Sequence, residues 1–147
     1  MYACWLKVTN RIWFTAASSG QETYSLAILL KEAAARLGGW SKEIIGTNTS
    51  TEMFNRARSG RYSQFEVQRG LAATFLVKYF IKDGVSWQFK KMQDMVTYKA
   101  FNLLKDFAPL GKFDMVFCFS ALIYFYQETK KQIFDRIAKM LKTDGVI

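Results

Sequence analysis

Apolar residues fall in short bursts separated by small or polar ones, and the bursts alternate between two periods. "RIWFTA", Arg11 to Ala16, is a compact apolar run bounded by turn chemistry and reads as a buried strand. The helix expected after it puts Leu26, Leu30, Ala33 and Leu37 on one face, with Gly38 and Gly39 as its stop. "KEIIGT", Lys42 to Thr47, is a second short strand, and Ser50 or Thr51 then caps a helix that Gly60 ends. Strand, helix, strand, helix predicts an α/β fold, a mostly parallel sheet covered by helices on both faces.

Further along, Asp83-Gly84 sits between aromatic and β-branched residues and predicts a tight antiparallel hairpin. "MVTYKAFNLL", Met95 to Leu104, reads as a strand leaving at Asn102. Met115 to Phe119 is the most hydrophobic run and is expected to be a central strand buried on both faces. Ile133, Ile137, Met140 and Leu141 fall in register on a last amphipathic helix, after which Thr143-Asp144-Gly145 reads as a turn into Val146-Ile147. On this reading residues 1–147 are a single domain that stops just as another strand would begin. Exposed sheet edges of that kind would favour a homo-dimer that completes the sheet.

Composition narrows the chemistry. The chain of 147 residues contains no histidine, which excludes a Ser-His-Asp triad and His-ligated metal, so no metal is expected. Cys4 and Cys118 lie far apart and read as free thiols of a reducing compartment. No apolar run approaches the ~18 residues a membrane span needs, and the N-terminus does not read as a signal peptide. A soluble cytoplasmic protein is therefore expected. The net charge of +9 steers toward an acidic partner. The charge alone does not choose among nucleic acid, an anionic membrane face and a glutamate-rich protein surface. Because the basic residues are dispersed, it equally suits lysines that merely keep the domain soluble. Nucleic acid has nothing else behind it and is not expected.

In a doubly wound sheet, ligands bind across the carboxyl ends of the strands. The ends read here are Ala16 to Gly20, Thr47-Asn48, Asn102-Leu103 and Cys118 to Ser120. The small residues of the first, Ala16, Ala17 and Ser18, let a ligand lie against the backbone, and the following helix start offers unpaired N–H groups. Neither GxGxxG nor GxxxxGK[ST] is present, so a pyrophosphate cradle is not supported. Glu22, in the first helical turn, would repel phosphate and favour a cationic amine or sulfonium. Asn48 ends the second strand, where ribose hydroxyls are held in nucleoside-binding folds. A nucleoside carrying positive charge fits these features, and S-adenosylmethionine is such a compound.

"RIWFTAASSGQETYSLAILL", "IIGTNTSTEMFNRARSGRY", "VTYKAFNLL" and "GKFDMVFCFSALIYF" resemble, in order and spacing, the CheR-type chemotaxis receptor glutamate methyltransferases. The resemblance implies a Rossmann-like class I methyltransferase fold whose sheet here lacks its last strands, with about 61–94, a helical and hairpin insertion, standing where the family has a small β-subdomain. It implies transfer of a methyl group from S-adenosylmethionine to glutamate carboxylates on the cytoplasmic helices of membrane chemoreceptors, leaving S-adenosylhomocysteine. By position Glu22 matches the acidic contact to the methionine end, and Asn48 stands where the family has a ribose-binding aspartate. Asn102 and Leu103 match the pair near adenine, Cys118 and Phe119 the pair after the central strand, and Tyr124 the tyrosine near the methyl group. Phe119 and Ser120 stand where a basic residue and an amide are usual. Together with Asn48 they favour the competing reading, a catalytically silent relative that binds a nucleoside or a protein.

Overall fold

The structure is a computed structural model that describes residues 9–36, 41–90, 95–118 and 121–147. Cys4, Leu37, Gly38, Gly39, Phe119 and Ser120, each singled out above, lie outside the described residues. In chain order the elements are β1 (Thr9–Phe14), α1 (Gln21–Glu32), β2 (Ser41–Asn48), α2 (Thr51–Ser59), β3 (Arg61–Ser63), α3 (Gln64–Gln68), α4 (Ala73–Tyr79), β4 (Phe80–Asp83), β5 (Ser86–Phe89), β6 (Val96–Ala100), β7 (Phe113–Phe117), α5 (Gln127–Met140) and β8 (Leu141–Val146). A short 3-10 turn at Ala108–Leu110 precedes β7.

Five strands form one sheet in the order β6-β2-β1-β7-β8, and all of its pairings are parallel. The chain runs outward from β1 through β2 to β6 and then crosses to β7 and β8, so the winding direction reverses beside β1. A crevice opens at such a reversal because the flanking connections leave on opposite faces. The Met115 segment belongs to an interior strand, β7, flanked by β1 and β8, and β1 is the middle strand. β7 starts at Phe113 and buries Phe113, Asp114 and Val116, while Met115 and Phe117 are half-buried.

Two-residue alternation divides the core between the sheet faces. Ile12, Phe14 and Ile44 belong to the cluster that holds Tyr24, Ala27 and Ile28 of α1. Trp13 and Ile45 belong to the cluster with Phe113, Val116 and Ile133 and Ile137 of α5. The Trp13 ring stacks on Phe113 at 5.2 Å and meets Phe107 edge-on at 5.4 Å, and its Nε1 donates to the buried Thr47 hydroxyl at 3.0 Å. That bond ties the carboxyl ends of β1 and β2 together.

The hairpin at Asp83-Gly84 is present, with β4 and β5 antiparallel and Gly84 in the left-handed region. β3 pairs on the other side of β5, so a second sheet of order β3-β5-β4 forms beside α1 and α2. Ser50 caps α2 through its hydroxyl, and Gly60 ends it at φ 61. Two expectations are corrected. The buried side of α1 is Thr23, Tyr24, Ala27, Ile28 and Leu30, and the helix ends at Glu32, so Leu26 and Ala33 are only half-buried. Thr143-Asp144-Gly145 is not a turn before a strand. It lies inside β8, where Phe113 pairs with Leu141 and Met115 with Val146, so five steps of β8 oppose two of β7 and the segment bulges. Among the described residues no helix is long and apolar enough to cross a membrane.

Candidate functional site

A cleft of about 370 Å³ opens at the carboxyl ends of β1, β2 and β6. From the first strand end come Thr15, Ala16 and Ser18, from the second Asn48 and Thr49, and from the third Phe101, Asn102 and Leu103. Met53 of α2 and the segment Ala121, Tyr124 and Phe125 after β7 close the wall. Strand ends converge here because parallel strands point the same way and the winding reverses beside them.

The corner between β1 and α1 is fixed by backbone bonds. Ala17 N–H donates to Thr47 O at 2.9 Å, and Gly20 N–H closes a turn on Ala17 O at 2.8 Å. Ser18 is held at φ 49, the only positive φ outside glycine among the described residues. Such a conformation costs on the order of 1 kcal/mol or more and persists where the surroundings enforce it. Gly20 adopts φ 86, and a Cβ there would stand 2.6 Å from the Tyr98 hydroxyl. The N–H groups of Ser18 and Ser19 have no partner among the described residues, and Gly20 gives α1 no side-chain cap. The corner is therefore a row of open donors beside a helix N-terminus.

Asn48 bridges the corner to the next loop: its Nδ2 donates to Ser18 O at 3.2 Å and its Oδ1 accepts from Ser50 N–H at 3.3 Å. Each amide atom keeps one further valence. Asn102 Oδ1 accepts from Leu104 N–H at 2.9 Å, which leaves its amide nitrogen without a partner among the described residues. Leu103, Ala121, Phe101 and Phe125 give the floor an apolar character, and the loop beneath is held by Arg136, whose Nη1 donates to Lys105 O at 3.1 Å. Tyr124 stands at the mouth and is 85% exposed, so its hydroxyl is free to meet a second molecule.

Of the residues expected from sequence, Ala16, Ser18, Asn48, Asn102, Leu103 and Tyr124 come together in this cleft. Ala17, Glu22 and Cys118 do not line it. Ala17 turns inward to the core beside Gly46, held by its N–H bond to Thr47 O. Glu22 is exposed on the first turn of α1. Cys118 packs against the Trp13 cluster and accepts from the Thr15 hydroxyl at 3.3 Å, and burial pushes its thiol upward, so it is held as a thiol. Thr15, Thr49, Phe101, Ala121 and Phe125 were missed, although each of them adjoins a residue singled out from the sequence. Met53 had no strand-end signal at all, since it reaches the cleft from the first turn of α2.

The fold is shared with solved methyltransferases. A DhpI-SAM-HEP complex aligns with a TM-score of 0.55 at 16% identity over 95% of this chain and 45% of that one. The glycopeptide N-methyltransferase MtfA aligns at 0.56 and 15% identity, with the same shares of 95% and 45%. At these identities the likeness defines a class, the Rossmann-like fold of S-adenosylmethionine-dependent methyltransferases. The model of the family described as "CheR methyltransferase, SAM binding domain" matches residues 6–147, and the chain belongs to that family. Its cofactor is accordingly S-adenosylmethionine.

Curated relatives agree. Chemotaxis protein methyltransferase 1 of Pseudomonas aeruginosa is 41% identical over 142 residues, covering 93% of this chain and 52% of the relative. Chemotaxis protein methyltransferase Cher2 of Pseudomonas putida is 38% identical with the same shares of 93% and 52%, and the Escherichia coli enzyme is 33% identical over 143 residues, with 49% of its length covered. The chain thus spans about half the length of the relatives it matches. The cleft suits the cofactor in size and in its mixture of groups: an apolar floor, the amides of Asn48 and Asn102, and an open backbone donor at Ser18, with that of Ser19 next along the corner.

Proposed function

We propose that this domain serves transfer of a methyl group from S-adenosylmethionine to glutamate side chains on the cytoplasmic helices of chemoreceptors. The observation that carries the reading is the meeting of Ser18, Asn48, Asn102 and Tyr124 around one cleft at the strand ends of a CheR-family chain. The adenine end fits the apolar floor at Leu103, with the Asn102 amide for its edge. Asn48 would hold a ribose hydroxyl, and the open N–H groups of Ser18 and Ser19 suit the carboxylate of the amino-acid end.

The bound cofactor supplies a methyl group on a positively charged sulfur. A glutamate side chain is already ionised at neutral pH, so one of its oxygens can form the new C–O bond as the C–S bond breaks, with no proton to move. What the residues here supply is orientation and exclusion of water, with Tyr124 at the mouth aligning the incoming carboxylate. A surface of net charge +9 would speed encounter with an acidic receptor helix.

The test is incubation with methyl-labelled cofactor and a chemoreceptor cytoplasmic fragment, scoring base-labile label as methyl ester. Label that is absent, or that survives base, refutes glutamate ester formation. A second reading, a silent nucleoside- or protein-binding relative, is favoured by Asn48, whose amide is already engaged in two local bonds. It predicts no label on any receptor fragment, with heat from S-adenosylhomocysteine in calorimetry if the relative binds a nucleoside and none if it binds only a protein.

A further inference from the structure

From Ala17 to Gly20 every carbonyl of the corner accepts a hydrogen bond. Ala17 O accepts from Gly20 N–H, Ser18 O from Asn48, and Ser19 O from the hydroxyl of Tyr62 at 2.8 Å. Gly20 O accepts from Tyr24 N–H at 3.0 Å and from the Thr23 hydroxyl at 2.8 Å. Thr23 has one hydroxyl proton, and it lies on Gly20 O. At the 2.5 Å contact between Thr23 Oγ1 and Tyr98 the phenol must therefore be the donor. A relay thus runs from Tyr98 through Thr23 to Gly20 O, while Tyr62 reaches Ser19 O directly.

The two tyrosines come from different sheets. Tyr98 lies on β6 and Tyr62 on β3, the short strand of the antiparallel sheet, where Tyr62 is 3% exposed. Burial raises both phenols far above their ordinary range, so each keeps the proton it donates. Neither residue lines the cleft.

We propose that Tyr62 and Tyr98 are positioning residues of the cofactor site: by holding the Ser19 and Gly20 carbonyls from behind, they fix the corner in the turn that leaves the Ser18 and Ser19 N–H groups open as donors. The inference rests on the reading that this corner seats S-adenosylmethionine. It makes the antiparallel sheet part of the cofactor site's support, since β3 is the element that brings Tyr62 to the loop.

Tyr62→Phe and Tyr98→Phe keep the rings and remove only the hydroxyls. Tyr79→Phe is the control, because Tyr79 is also buried but its hydroxyl bonds Glu32, away from the corner. Calorimetric titration with S-adenosylhomocysteine, well below each variant's unfolding temperature, is expected to show the two corner variants binding about five- to tenfold more weakly. Tyr79→Phe should bind within about twofold of wild type, although its unfolding temperature falls as well. Affinity unchanged in the corner variants, or lost equally in all three, overturns the proposal while leaving the cofactor site intact. A wild-type chain that gives no heat removes the site reading and this inference together. Amide exchange gives a cofactor-free check: residues 16–21 should exchange faster in the corner variants and at the wild-type rate in Tyr79→Phe, and no acceleration in the corner variants overturns the proposal.

Discussion

Gly46→Ala tests how tightly the sheet and the corner are fitted together. Gly46 lies in β2, opposite Phe14 of β1 and Tyr98 of β6. A methyl group there would stand 2.8 Å from Tyr98 Cδ1, 2.9 Å from Tyr98 Cε1 and 2.9 Å from Ala17 Cβ. Carbon atoms rest at roughly 3.5 to 4.0 Å, so each neighbour must retreat by about 0.6 Å or more. Neither is free to do so: the Tyr98 hydroxyl is bound to Thr23, and the Ala17 N–H is bound to Thr47 O. Overpacking a filled core costs about 1 to 3 kcal/mol, and two restrained neighbours put the expected loss near 2 kcal/mol. For a chain of this size that is roughly 6 °C in unfolding temperature. Urea unfolding with an unchanged slope measures it, and Tyr98→Leu in the same chain should recover about half by giving the methyl room. Because the strained atoms are those that seat the corner, affinity for S-adenosylhomocysteine should fall in parallel. A Gly46→Ala midpoint within about 0.5 kcal/mol of wild type would refute the close fit.

Asn48→Asp exchanges a neutral acceptor for a charged one at the position proposed to hold the ribose. The stronger bond is offset in part by loss of the donation to Ser18 O, so S-adenosylhomocysteine should bind about threefold more tightly by calorimetry, and weaker binding would argue against the ribose role. Lys142→Met strips a 2.6 Å partner from Asp114, which is 2% exposed and keeps the Arg11 N–H at 2.8 Å. About 2 kcal/mol should be lost in urea unfolding, with part of it restored by Asp114→Asn in the same chain. Glu32 is held below its ordinary value of 4.5 by hydrogen bonds first from Lys78 and then from Tyr79. A depressed carboxylate contributes stability above the unfolded value that is lost as pH falls through the folded one. Thermal unfolding should accordingly place wild type above Glu32→Gln at pH 7, with the gap closing below about pH 4. A gap independent of pH would mean that the carboxylate charge is not what matters.

The strands were legible where alternation is strong, as in Ile12, Trp13 and Phe14, which send successive side chains to opposite clusters. Helix α1 was misread because hydropathy ranks Thr23 and Tyr24 as polar. Both are buried with their hydroxyls satisfied, by Gly20 O and by Ala57 O at 2.7 Å, and the face they occupy displaces the leucine stripe expected from spacing. β3 is only three residues long, too short for any period to register, yet it carries Tyr62. Thr143-Asp144-Gly145 has turn chemistry but is captured as a bulge by pairing with β7, an outcome that depends on a strand distant in sequence. Tyr124 came from the resemblance to the family, whereas strand-end reasoning found Ala16, Ser18, Asn48, Asn102 and Leu103 because strand ends are local features. It missed Met53, whose place is set by where α2 lies after β2.

On the proposed reading, the same contrast explains how a chain without histidine would serve a group transfer. When the nucleophile arrives ionised on the substrate and the electrophile arrives on the cofactor, no side chain has to change its protonation state, so the work left to the fold is geometric. Geometry of this kind is built from groups with no reactivity of their own. Gly20 and Gly46 clear space for one phenol ring, Thr47 locks β1 to β2, and Asn48 ties the second loop to the first. Each acts through the corner, and the corner is where the structure accepts the strain at Ser18. Substitutions in these supports should therefore weaken cofactor affinity while leaving the pH dependence of transfer flat through neutrality, whereas an enzyme with a general base would lose rate along a titration curve.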